Sequence, residues 1–126
     1  MAKAPVQLRQ GSIVIAPIVP DAGITKPRPA VVLTPTDVIP AQSVIDVIGV
    51  TASFFPDQDV YVELPSRDDG RIPTGFRKRC AAKLTLVQRF PKEKLQPTGK
   101  HLPRAALEAL LARLKAYAAS HPGSSP

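Results

Sequence analysis

Sulfur and imidazole are scarce in this 126-residue chain, which holds one cysteine, Cys80, and two histidines, His101 and His121. A lone cysteine excludes an internal disulfide, and so few soft ligands exclude a conventional structural zinc site. Long hydrophobic runs are missing as well. No stretch approaches the roughly 18 apolar residues that a membrane span needs. Arg9 and Gln10 precede the only early apolar run, so the N-terminal residues do not read as a signal peptide. A cytoplasmic protein without a membrane segment is expected. Neither common glycine-rich phosphate loop occurs, and strands do not alternate with helices, which argues against a doubly wound parallel sheet. Neither a cofactor nor a metal is expected.

Proline, by contrast, is abundant. Its 15 copies are more than twice the average share of about 5%. Proline breaks helix interiors and central strands, which favours short strands joined by rigid turns. Apolar residues make up 44% of the chain, enough for the core of one domain. Charge is unevenly spread. Residues 1–65 carry four basic and six acidic side chains, whereas residues 66–126 carry thirteen basic and four acidic ones. Such segregation suits an anionic partner, nucleic acid foremost, or simply a solubilising surface.

Along the chain, residues 1–10 read as a flexible arm. A strand is expected over Ser12–Ile18, closed by the turn residues Pro20-Asp21-Ala22-Gly23. Ala30–Thr34 reads as a short buried strand stopped by Pro35. Ser43–Val50 is apolar on both faces and reads as a central strand. Asp59–Leu64 alternates, with Val60, Val62 and Leu64 on one face and Asp59, Tyr61 and Glu63 on the other. A further strand is expected over Ala82–Val87, with Leu84 and Leu86 on one side, then a helical turn within Phe90–Leu95. Pro103–Tyr117 is the one strong helix, with Leu107, Leu110, Leu111 and Leu114 in a single stripe. Residues 119–126 are expected to be a disordered tail. About five short strands followed by one helix suggest a small, strongly bent antiparallel barrel.

Two segments stand out as candidates for chemistry. In Lys26-Pro27-Arg28-Pro29-Ala30-Val31-Val32-Leu33, prolines pin a cation at the start of a buried strand. Rigid placement of a guanidinium is useful where a phosphate must be held. In Gly49-Val50-Thr51-Ala52-Ser53, two hydroxyls stand at the end of the central strand. The plainer reading is that Arg28 pairs with a surface acid and that Thr51 and Ser53 satisfy a turn. Taken alone, the residues favour that plainer reading. Cys80 lies beside Arg79, but no histidine is placed to serve it as a base, so a small buried residue is expected there.

These segments, together with Gly11-Ser12-Ile13-Val14, the block Thr74-Gly75-Phe76-Arg77-Lys78-Arg79-Cys80 through Lys83, and Thr98-Gly99-Lys100-His101-Leu102-Pro103, resemble the successive motifs of the PemK/MazF toxin family. The resemblance covers roughly residues 11–117, and Arg-Pro-Ala-Val-Val-Leu is its most specific string. Three positions depart from the family pattern: Ser12 where aspartate is usual, Phe76 where leucine is usual, and Cys80 where a polar residue is usual.

The resemblance implies a small SH3-like antiparallel β-barrel of about five to seven short strands with a C-terminal α-helix, spanning residues 11–118, usually as a homodimer. It implies the toxin half of a toxin–antitoxin pair, cleaving single-stranded RNA without a metal, with Arg28 and Thr51 as catalytic residues. An acidic cognate antitoxin is the implied protein partner. Lys26, Ser53, Arg77, Lys78, Arg79 and Lys83 are the expected RNA-binding residues, with Arg77-Lys78-Arg79 holding the backbone rather than performing chemistry. Two other readings stay open: an RNA- or protein-binding barrel without catalysis, and a poison of a protein target such as DNA gyrase.

Overall fold

Ser12–Ile18 forms the first strand, β1, as its Ile and Val content requires. It pairs antiparallel with β2, Lys26–Val32, in a register that sets Ile13 against Val31 and Ala16 against Arg28. Then follow β3 (Val44–Thr51), β4 (Tyr61–Leu64), β5 (Cys80–Pro91), β6 (Gln96–His101) and the helix α1 (Arg104–Ser120). The structure is a computed structural model and describes residues 7–19, 24–55 and 57–120. The expected turn at Pro20–Gly23 and the tail from His121 lie outside these residues, whereas Ala119 and Ser120, expected to begin that tail, end the helix. Among the described residues no helix is long and apolar enough to cross a membrane.

All six strands form one antiparallel sheet in the order β4-β5-β3-β2-β1-β6. The sheet curls, and the loop between β4 and β5 joins its two edges. Within the loop Arg67 N–H donates to Phe76 O, and His101 N–H of the far edge strand donates to Pro73 O of the loop. Thr74 pins that loop from inside, donating to Pro65 O at 2.9 Å and accepting the Phe76 N–H at 3.1 Å.

Side chains on the two faces fill separate cores. Ile13, Val31, Ile48, Val50, Val62 and Leu84 pack under the helix. Val14, Ala30, Val32, Ile45, Val47 and Leu86 fill the opposite side. This agrees with a central strand at β3 that is apolar on both faces. The leucine stripe of α1 closes the first core. Leu110 is fully buried, Leu107, Leu111 and Leu114 are half-buried, and Ala106 and Tyr117 add to the packing. Burying one leucine contributes roughly 1.5–3 kcal/mol, so the stripe rather than helix propensity holds α1 in place.

Four expectations need correction. Leu84 and Leu86 do not share a side: Leu84 joins the first core and Leu86 the second. The β3–β5 register shifts between Ile48 and Val50, and the extra residues on β5 reverse its side-chain parity there. Next, β2 begins at Lys26 rather than Ala30 and contains Pro27 and Pro29. It tolerates them because its ladder with β3 covers only Ala30–Val32, so the missing N–H groups break no bond on that side. Third, β6 was not expected, since Gln-Pro-Thr-Gly-Lys-His has no apolar alternation. Pairing with β1 creates it. Last, the end of the N-terminal arm is anchored: Gln10 Nε2 donates to Leu33 O at 2.8 Å and Leu8 packs on the second core.

Candidate active site and nucleic-acid interface

The ladder between β2 and β3 stops at Ala30 and Gly49, although both strands run on. Pro27 and Pro29 supply no N–H there, so these positions cannot donate to a continued ladder. Continuing the register by two residues sets Arg28 opposite Thr51. Cross-strand partners present their side chains to the same face. The row then extends through the pairs Ala16–Arg28, Thr51–Ala81 and Ala81–Glu63, and the neighbouring row holds Lys83 opposite Tyr61. Five strands thus contribute to one strip across the sheet, four of them with polar side chains. The alanines at positions 16 and 81 keep it low.

Arg28 is half-buried, and its Nε is fully enclosed without a hydrogen-bond partner. The expectation that it pairs with a surface acid fails for this nitrogen. An enclosed N–H without an acceptor costs about 1–3 kcal/mol, and a group kept at that cost points to an incoming acceptor. Thr51 follows the plainer expectation. Its Oγ1 accepts the Ser53 N–H at 3.1 Å and lies 3.2 Å from Ser53 O, closing a tight turn. A hydroxyl has two acceptor positions, and the turn bond uses one of them.

Arg79 is committed. Its Nε and one terminal nitrogen bind the two Glu63 oxygens, each at 2.8 Å. Its guanidinium carbon sits 5.6 Å from the centre of the Phe54 ring, and that ring meets Tyr61 at 6.1 Å with a 54° tilt. The hydrogen-bonded guanidinium holds the Glu63 carboxyl below its ordinary range, and Glu63 in turn raises Arg79. Arg77 is folded onto its own loop, donating to Asp68 O at 3.2 Å and covering Gly70. Lys26, Ser53 and Lys78 are exposed, and Lys83 is half-buried beside the strip. Arg28, Thr51 and Lys83 thus lie along the strip, Ser53 follows Thr51, Arg79 reaches the strip through Glu63, and Lys26 starts β2 two residues before Arg28, whereas Arg77 and Lys78 lie in the approach to β5.

Cys80 is buried in the first core, and burial, with the Glu63 charge second, pushes its thiol up to about 11. It is no nucleophile. Phe76 packs against the same core. His101 is half-buried in β6, with its backbone bound to Pro73, and His121 lies outside the described residues. Among the described residues no three His, Cys, Asp or Glu side chains are grouped to hold a metal ion. Sequence reasoning passed over Phe54, Phe55, Tyr61 and Glu63. The alternation of β4 already put Tyr61 and Glu63 on its polar face, and Phe54-Phe55 directly follows Ser53, but nothing local announced the bond to Arg79.

The fold has counterparts among solved structures. The crystal structure of MazF (Form-I) from Deinococcus radiodurans superposes with a TM-score of 0.69 at 17% identity, covering 91% of this chain and 99% of that one. The Mycobacterium tuberculosis toxin MazF-mt6 gives 0.63 at 20% identity, over 83% and 93% of the two chains. An endoribonuclease in complex with its cognate antitoxin, from a mycobacterial species, gives 0.63 at 11% identity, over 94% and 98%. Comparison with curated protein sequences gives no match. At these identities the likeness carries the fold. The sequence itself matches one family profile over residues 9–118, from the residue before Gln10, where the arm meets the barrel, almost to the end of α1. With the Arg-Pro-Ala-Val-Val-Leu strand, the threonine at the end of β3 and the leucine-striped helix all inside that span, the chain belongs to the PemK-like, MazF-like toxins of type II toxin–antitoxin systems.

Proposed function

We propose that this toxin is a metal-independent endoribonuclease that cleaves single-stranded RNA by way of the substrate's own 2′-hydroxyl. The observation that carries the reading is the enclosed, unpartnered Nε of Arg28, on β2 beyond the end of its ladder with β3. Attack of the 2′-oxygen on phosphorus builds negative charge on the phosphoryl oxygens and on the departing 5′-oxygen. A guanidinium fixed by flanking prolines meets that charge without reorganising, which is where electrostatic stabilisation is strongest. The open acceptor position of Thr51 Oγ1 suits a hydroxyl of the substrate, and exchange of its 3.2 Å turn contact frees its proton for a phosphoryl oxygen. The products are a 2′,3′-cyclic phosphate and a free 5′-hydroxyl. We assign no protein general base. The similarity to an endoribonuclease held by its cognate antitoxin supports the same reading, and so does the excess of basic residues after position 65.

By the same reasoning the partners are single-stranded RNA in the strip, an acidic antitoxin segment competing for it, and a second copy of the chain, in the cytoplasm. The turn bonds of Thr51 favour a second reading, in which the strip binds RNA without cleaving it. One experiment separates the two. Single-stranded RNA is incubated with the protein in EDTA, beside the Arg28→Ala variant. Cleavage by the native chain, reduced about 10²–10³-fold or more in the folded variant, is expected for loss of one such donor. Binding without cleavage leaves the second reading. Equal cleavage by Arg28→Ala overturns the assignment of the site.

A further inference from the structure

We propose that Phe55 is a base-stacking face of this site, held in position by the Arg79–Glu63 pair acting through Phe54; the proposal rests on the RNA reading above. Phe55 is 61% exposed, one of few large apolar side chains to face solvent among the described residues. It stands four residues beyond Thr51, so the chain between them spans at most about 14 Å. Its neighbour Phe54 is clamped. Arg79 lies over one side of that ring, Tyr61 packs at a tilt beside it, and both Glu63 oxygens hold the guanidinium in plane. A cation over an aromatic face contributes about 0.5–1 kcal/mol at an exposed site, enough to favour one placement of a short turn. The clamp therefore limits the freedom of the Phe54-Phe55 step, which would otherwise be lost on binding.

The surroundings select the occupant. Lys83 opposes Tyr61 on the same face, and Arg28 lies along the neighbouring row. An exposed ring that follows directly on the end of a strip carrying cations suits an unpaired base joined to a phosphate backbone, because stacking and charge neutralisation then occur together. Arg79 acquires a different role from the one expected of it. With its charge matched by Glu63 it is a positioning residue for the aromatic step and not a backbone contact.

The chain contains no tryptophan, so Phe55→Trp introduces a single indole that reports directly on stacking. The probe is a mixed-sequence single-stranded RNA with every 2′-position methylated, which cannot be cleaved by its own 2′-oxygen. Indole emission should be quenched along the same curve that fluorescence anisotropy of the labelled RNA follows, and double-stranded RNA should leave it unchanged. Phe55→Ala should weaken binding of the single strand roughly 5- to 100-fold. It should leave the log–log salt slope where it was, since no cation is removed. Arg79→Gln should reduce most of the effect of Phe55→Ala in a double-mutant cycle, again without a change of slope. RNA binding by Phe55→Trp with unaltered emission, or full affinity in Phe55→Ala, overturns the proposal while the endoribonuclease reading stands. Full RNA affinity with loss of an acidic antitoxin peptide makes the face a protein contact and overturns it too. A slope reduced by about 0.7 in Arg79→Gln makes Arg79 a phosphate contact and overturns its positioning role. If the native chain binds no RNA at all, the function itself fails and this inference fails with it.

Discussion

Gly49 faces Leu86 so closely that a Cβ on the glycine would stand 2.6 Å from one Leu86 methyl. The relationship exists because β5 shifts register against β3 at this point and turns Leu86 into the second core. Leu86 is itself buried, so it has little room to retreat. Gly49→Ala should therefore destabilise the fold by about 1–3 kcal/mol, the usual cost of overpacking. Adding Leu86→Ala should make the glycine substitution nearly neutral in that background. Urea unfolding of the two singles and the double measures this; additive losses would show that the contact does not matter.

The Glu63–Arg79 pair predicts a pH dependence at the acidic end. Glu63 has its carboxyl depressed by hydrogen bonding to Arg79, so the folded value lies below the ordinary 4.5. A depressed carboxylate contributes stability that is present above the unfolded pKa and is lost as pH falls through the folded value. The pair and its hold on Phe54 should thus be intact at neutral pH and fail only below about 4.5. Carbon-detected NMR titration should give Glu63 a midpoint under that value, and Arg79→Gln should return it to the ordinary range. An unshifted midpoint in the native chain would mean that the pair does not persist in solution.

Cys80 offers a probe of folding. Its thiol is buried and pushed up to about 11. At pH 8 roughly one thiol in a thousand is then ionised, and the thiolate is the reactive form. Iodoacetamide should leave the native protein unlabelled over hours and label it quickly in denaturant. Rapid labelling of the native chain would place the thiol at the surface instead.

A groove of about 940 Å³ runs between α1 and the sheet, with Leu33, Val44, Val87, Leu111 and Leu114 in its walls. A second copy seated there would bury apolar area that one small barrel leaves open. Leu111 is half-buried and Leu110 fully buried on adjacent positions of the same helix. Leu111→Glu should convert a dimer into a folded monomer by light scattering, whereas Leu110→Ala should cost about 2–5 kcal/mol of stability through the cavity it leaves. A native monomer at micromolar concentration would refute the dimer.

Much of this molecule is legible in its residues because the signals are local. Ser12–Ile18 carries enough branched side chains to be a strand at the boundaries expected. Leu107, Leu110, Leu111 and Leu114 announce a helix by spacing alone, and it forms at Arg104–Ser120 rather than Pro103–Tyr117. Arg28 between two prolines and Thr51 at a strand end are visible as candidates before any partner is known, because proline fixes the backbone from within its own residue. The polar face of β4 is likewise written in its alternation.

What the tertiary structure decided are the relations that need two distant segments at once. β6 has no pattern of its own and exists because β1 offers it a ladder. The split of Leu84 from Leu86 depends on a register shift against β3, which no period within β5 could encode. Arg79 reads as one of three equivalent cations until Glu63, 16 residues earlier, takes two of its donors and sets it over Phe54. The burial of Arg28 Nε without a partner arises only in the folded sheet, where β2 lies between β1 and β3. Backbone preference and hydrophobic period act over a few residues, whereas pairing, burial and ion-pair geometry are set only once the sheet has curled and brought its far edges together.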